Sequence, residues 1–189
     1  MKAGIVFVHI PKSAGTSVCN SLYGSRVGHF TLDELNQATD FSRVSDMPKI
    51  SVVRDPAKRL YSSYKYAKNG GGSDGSISPN PAYESQQFRS FSSFLSEWLA
   101  FQELHKLDRI FWPQSSFLST DNSALDFVGK VEEMELAEEW LRDNYNADME
   151  IPHLNRGQEI PANSSGISAE NMRIIKGIYK MDYSRFKYS

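Results

Sequence analysis

IVFVHIPKSAGTSVCNSLYG, residues 5–24, decides the fold. Residues 5–10 form a continuous apolar run rich in β-branched side chains, interrupted only by His9. Such a run predicts a strand buried on both faces, as in a parallel sheet. Pro, Ser and Gly at 11–16 make a turn. Val18, Cys19, Leu22 and Tyr23 then recur at helical spacing over 17–23, with Gly24 as the stop. Strand, short loop, helix is the opening unit. The first backbone N–H groups of a helix have no internal partners and point outward with the positive end of its dipole. Lys12 adds a full charge there, Ser13, Thr16 and Ser17 add hydroxyls, and Gly15 lets the backbone approach a ligand. These residues are suited to holding a phosphate. The loop departs from the Walker pattern G-x-x-x-x-G-K-[ST], because Lys12 precedes its single glycine.

The same unit recurs downstream. Pro48 breaks the chain, residues 49–53 read as a second buried strand, and RDP at 54–56 turns into a helix. Pro56 suits the first helical turn, where its missing N–H is no loss. Leu60, Tyr61, Tyr64 and Ala67 follow at three- and four-residue spacing. Strands alternating with helices predict an α/β domain: three layers, with a central parallel sheet flanked by helices. Ligands gather at the carboxyl ends of such strands. Arg54 therefore falls beside residues 11–17 if the two strands are neighbours, and its planar fork suits a phosphate. Ser62 falls about two turns into the helix. Arg59 is ambiguous, because pairing with Asp55 one turn earlier would make it a brace for the turn.

Further along, NGGGSDGSISPNPA at 69–82 is the low-complexity stretch and reads as a mobile surface loop, either disordered or able to close over a ligand. Residues 88–107 predict one helix that buries Phe91, Phe94, Leu95, Trp98, Leu99 and Phe101. A short strand is expected at 124–131. An acid-started helix comes after it, with Met134, Ala137, Trp140 and Leu141 inward. The last helix is expected at 168–183 with Ser168 as its N-cap. Tyr61, Tyr64, Tyr66, Phe111 and Trp112 have the spacing and composition of core rather than of a ring-stacking platform. No repeat or linker divides the chain, so residues 1–189 are expected to be one domain.

Composition narrows the function. The chain has 189 residues, 40% apolar and 23% charged, with formal net charge −2. That balance provides no global basic field for nucleic acid or a polyanion, so anion binding must be local. One cysteine, Cys19, excludes an internal disulfide framework and a cysteine metal cage. Residues 1–8 lack a signal-peptide core, and no apolar run reaches the about eighteen residues of a membrane span. A cytoplasmic protein with no membrane partner is expected.

Together, PKSAGTS at 11–17 and VVRDPAKRLYSSY at 52–64 resemble the two phosphate motifs of sulfotransferases that use 3'-phosphoadenosine 5'-phosphosulfate (PAPS). The form HIPKSAGTS is closest to their carbohydrate, Golgi-type branch. DFVGKVE at 126–132, PHLN at 152–155 and IYKMDY at 178–183 match that branch in order and spacing, so the resemblance covers nearly the whole chain. It implies that Lys12 contacts the 5'-phosphate and bridging oxygen as a catalytic residue. Ser13, Ala14, Gly15, Thr16 and Ser17 would cradle the same phosphate. Arg54 and Ser62 would hold the 3'-phosphate, and Asn155 and Arg156, with His153, would line the nucleotide. The product would be 3',5'-diphosphoadenosine (PAP). Sulfuryl carries less negative charge than phosphoryl, so the transfer requires no metal, and the sequence has no metal-ligand cluster.

The acceptor hydroxyl needs a base. His29 lies between the two motifs, as the base does in related carbohydrate sulfotransferases. His9 reads as a core residue or a wall of the site, and His105 as solvated. Asp33 and Glu34 are alternative bases. Net −2 and the absence of an anchor favour a small soluble acceptor, or a sugar on a metabolite, over a heparin-like polymer. Two other readings stay open. One is a P-loop kinase, which would want ATP and Mg²⁺. The other is a sulfotransferase-like protein that binds PAP without chemistry.

Overall fold

The computed structural model describes residues 4–38, 46–71, 77–118, 125–145, 151 and 167–189. The chain divides into two compact units, the first Met1–Arg54 with Gln114–Arg156, the second Asp55–Pro113 with Gly157–Ser189.

The first unit contains the sheet. β1 (Val6–Val8), α1 (Gly15–Tyr23), α2 (Leu32–Ala38) and β2 (Lys49–Val53) come in that order. The three strands run parallel in the order β1-β2-β3, where β3 is Phe127–Lys130. Val8 pairs with Ser51, and Val53 with Lys130. One face of the sheet, Ile5, Phe7, Ile50 and Val52, packs with Val18, Cys19 and Leu22 of α1. Met134 and Leu141 of α5 (Met134–Tyr145) join that cluster. Val6, Val8, Ser51 and Val53 on the other face are buried as well. Burial on both faces explains why these strands read as continuous apolar runs. Within the α5 helix Trp140 is half-buried and stacks on Phe127 at 5.0 Å. Tyr23 closes the outer edge of β1. Its hydroxyl accepts from the Phe7 N–H and donates to the Ile5 carbonyl, each at 2.9 Å, taking the place of a neighbouring strand. Burial pushes its phenol up to about 12, opposed by the Phe7 hydrogen bond.

The second unit is helical. α3 (Pro56–Lys68) is followed by α4 (Phe91–Ser93), and α6 (Ala169–Ile178) and α7 (Lys180–Phe186) come last. Its core is aromatic: Tyr64, Tyr83, Phe88, Phe94, Trp98 and Phe111 lie in one cluster, with Tyr61, Tyr66 and Phe91 packed against it. The aromatic spacing of the sequence therefore belongs to the core.

Two helices depart from expectation. The single helix expected at 88–107 is broken: α4 passes into a π-helical Phe94–Trp98 and then a tighter turn, Leu99–Phe101. Widening to π spacing and the exit of Trp98 (φ −127°, ψ −66°) rotate the next turn off the buried face. Phe101 is consequently 78% exposed, although it was expected inside. The helix expected at 168–183 is two helices, divided at Tyr179 (φ −104°, ψ 29°). Tyr179 is buried and its hydroxyl donates to the Phe111 carbonyl at 2.8 Å, which fixes the break. Ser168 caps α6 as expected, accepting from the Asn171 N–H at 3.1 Å. Among the described residues no helix is long and apolar enough to cross a membrane.

Candidate functional site

The loop between β1 and α1 is conformationally unusual. Lys12 (φ 66°) and Ala14 (φ 57°) both have left-handed backbone. Each placement costs a residue with a Cβ about 1–2 kcal/mol. Such strain persists only where the surroundings over-determine it, and it clusters at ligand sites. Ala14 is the N-cap of α1 and provides no side-chain cap, so the Gly15 and Thr16 N–H groups have no intrahelical acceptor. Ser13 is fully buried, and its hydroxyl donates to Oε1 of Gln114 at 3.1 Å. That hydroxyl anchors the loop.

Gly15 has a use the sequence did not disclose. A Cβ placed on it would lie 2.0 Å from His9 Cδ2 and 2.3 Å from His9 Nε2. The missing side chain makes room for the His9 ring, where the sequence reading gave that room to a ligand. His9 is buried at 3% exposure, and its Nδ1–H donates to the Val27 carbonyl at 3.0 Å. Cys19 Sγ lies 3.8 Å from the same nitrogen. Burial pushes the Cys19 thiol up to about 11, against smaller opposing effects of the Val27 backbone and Arg26.

His29 is joined to this group. Its ring lies 4.1 Å from the His9 ring at 57°, and its Nδ1–H donates to the His9 carbonyl at 3.1 Å. A carbonyl can only accept, so Nδ1 holds the proton and the neutral ring keeps its lone pair on Nε2. Gly15, His9 and His29 thus form a contiguous series from the loop to the expected base. Glu34 is engaged otherwise: its carboxylate accepts from the Thr31 N–H at 2.8 Å, and its own N–H donates to Thr31 Oγ1 at 3.1 Å. This reciprocal capping box starts α2. Asp33 is exposed on the same helix. A small open cavity of about 90 Å³ adjoins His9, walled chiefly by Val6, Phe7, Tyr23, Val27 and Phe30.

Since β1 and β2 are neighbours, their register brings the end of β2 level with the loop, as expected. Gln114, fully buried, spans the two. Its Oε1 accepts from the Arg54 N–H at 2.8 Å as well as from Ser13, and its Nε2 donates to the Arg54 carbonyl at 2.8 Å. Arg54 Nε is buried with no hydrogen-bond partner among the described residues. A buried guanidinium nitrogen in that condition suits a ligand anion.

In the second unit Asp55 caps α3, accepting from the Lys58 N–H at 2.8 Å, and Pro56 occupies the first turn. Ser62 is half-buried on this helix. Arg59 is buried and its Nη1 donates to the Trp112 carbonyl at 2.8 Å. Burial lowers its pKa, opposed by Tyr179 and Asp182. It braces the interior of this unit. His105 is exposed, 3.6 Å from Glu103. His153, Asn155 and Arg156, and residues 72–76 of the expected loop, lie outside the described residues.

Sequence reasoning missed Gln114 and the spacing role of His9. The only signal for the first is a glutamine directly after Pro113, and for the second a histidine six residues before a glycine. Among the described residues no three His, Cys, Asp or Glu side chains gather as a metal site. A family model described as the sulfotransferase family matches residues 1–189. No curated protein and no solved structure matches the chain. The match spans the full chain, which belongs to the sulfotransferase family.

Proposed function

We propose that this sulfotransferase-family chain transfers a sulfuryl group from PAPS to an acceptor hydroxyl, with the donor's 5' end held at residues 11–17. The observation that carries this reading is the N-terminus of α1: strained at Lys12 and Ala14, and closed by no side chain of its own. The Gly15 and Thr16 N–H groups, with the Thr16 and Ser17 hydroxyls, bind the 5'-phosphate. Ser13 holds the loop from behind through Gln114. The Arg54 guanidinium takes the 3'-phosphate, and the resemblance of residues 52–64 to a 3'-phosphate motif implies Ser62 for the same group. PAPS supplies a sulfuryl group activated by its anhydride bond to phosphate, with PAP as the leaving group.

Catalysis then consists of placement and charge compensation. Lys12 opposes the negative charge that grows on the bridging oxygen as its bond to sulfur breaks. The acceptor oxygen forms the new bond to sulfur from the opposite side, and its proton passes to His29 Nε2. The bond from His29 Nδ1–H to the His9 carbonyl sets that tautomer and steadies the imidazolium. No step needs a metal. The acceptor in this reading is a small molecule or a sugar on a metabolite.

The test is thermal stabilisation by PAP in metal-free buffer, with adenosine 5'-phosphate and ATP-Mg²⁺ as controls. PAP should raise Tm by mass action. In Arg54→Ala its affinity should fall about ten- to a hundredfold, the loss of a charge-assisted contact. No shift with PAP, or a larger shift with ATP-Mg²⁺, would overturn the reading in favour of a kinase.

A further inference from the structure

The two segments that the donor reading assigns to the two phosphates share one buried side chain, Gln114. Its amide pairs with both backbone groups of Arg54, donating to the carbonyl and accepting from the N–H, each at 2.8 Å. That is the pairing a further strand would make, so Gln114 continues the hydrogen-bonding of β2 past Val53 and fixes the backbone from which the Arg54 guanidinium projects. The same Oε1 accepts from the Ser13 hydroxyl, between the two left-handed residues of the loop. An amide oxygen has two lone pairs, and these two donors occupy them. The amide plane is rigid and fully buried. A displacement of Ser13 on one side therefore moves Arg54 on the other.

We propose that Gln114 is a positioning residue that couples the loop at 11–17 to Arg54, so that the two phosphates of the donor are bound as one event. This rests on the donor reading. It goes beyond it by assigning affinity for a bisphosphate to a residue that touches neither phosphate. Without the coupling, each segment still binds its own phosphate, but ordering one no longer orders the other.

The measurement is the ratio of affinities for PAP and adenosine 5'-phosphate, by calorimetry, in the wild type, Gln114→Ala and Gln114→Glu. The ratio isolates what the 3'-phosphate adds. A variant that merely lowers the folded fraction weakens both ligands equally and leaves the ratio unchanged. In Gln114→Ala the ratio should fall about tenfold, the loss of a buried hydrogen-bonded link. Gln114→Glu adds a pH signature and remains informative if the alanine variant does not fold. Burial raises the carboxyl pKa. When protonated, the acid has the shape of the amide and can still donate to the Arg54 carbonyl. When ionised it cannot donate, and it puts negative charge beside the anion site. Measured at pH 5.5 and at pH 8, the glutamate ratio should therefore lie closer to the wild type at the lower value, each compared with the wild type at the same pH. Ratios equal to the wild type at both pH values would overturn the coupling while leaving the donor reading intact. A wild type that does not bind PAP would overturn both.

Discussion

The chain makes a strand-to-helix turn twice, and the two turns end differently. After β2, Asp55 caps its own helix through the Lys58 N–H, and Pro56 fills the first turn. That helix start is satisfied by side chains, Asp55 for the Lys58 N–H and the Tyr183 hydroxyl oxygen for the Ala57 N–H, and the Asp55 carboxylate occupies the place an anion would take. After β1, Ala14 caps nothing, and the backbone is held left-handed at Lys12 and again at Ala14. The first turn costs conformational energy and leaves donors open, whereas the second has its helix start capped by side chains. Under the donor reading proposed above, the two turns would therefore bind in different ways: the first through its backbone and helix end, the second through the side chain of Arg54, which lies just before a capped helix.

The largest effect should come from the open turn. Lys12→Met should lower turnover about 10²–10³-fold, the usual loss for one donor aimed at developing charge. Labelled PAPS with a panel of hydroxyl acceptors measures this, and Tm should stay near that of the wild type. A lysine that only attracts the donor would change KM and leave kcat intact, which would remove it from the chemistry. The closed turn should behave in the opposite way. Asp55→Ala should cost about 1 kcal/mol of stability through the lost cap. That is a fall of about 2–4 °C in Tm for a chain of this size. Turnover at a temperature well below Tm should stay near that of the wild type. A large loss of turnover with unchanged Tm would mean that Asp55 serves the donor, and the contrast between the turns would fail.

This contrast also marks how far the sequence could be read. Both turns were legible, because buried β-branched runs and the punctuation at Pro11, Gly15 and Pro56 are local signals. The parallel α/β arrangement came from them. The faces of later helices were less legible. Phe101 lies at helical spacing from the buried Phe94 and Trp98, but the π-helical turn that accommodates those rings shifts the phase before Phe101 is reached. Tyr179 divides the last helix because its hydroxyl meets the Phe111 carbonyl, 68 residues away in sequence. At the site, Gly15 was recognised but its neighbour was not, since nothing local places the His9 ring against it. Gln114 was missed for the same reason. A buried polar side chain is explained by its partners, and Ser13 and Arg54 are 101 and 60 residues away.

The central claim is that the N-terminus of α1 is the anion site. The most direct test is titration of ¹⁵N-labelled protein with PAP in metal-free buffer, monitored through its backbone amides. The Gly15 and Thr16 resonances should move strongly downfield as their N–H groups gain a phosphate acceptor. The Lys58 resonance, already bonded to Asp55, should stay in place. Saturation with PAP that leaves Gly15 and Thr16 unmoved would contradict the account and place the donor elsewhere on the chain.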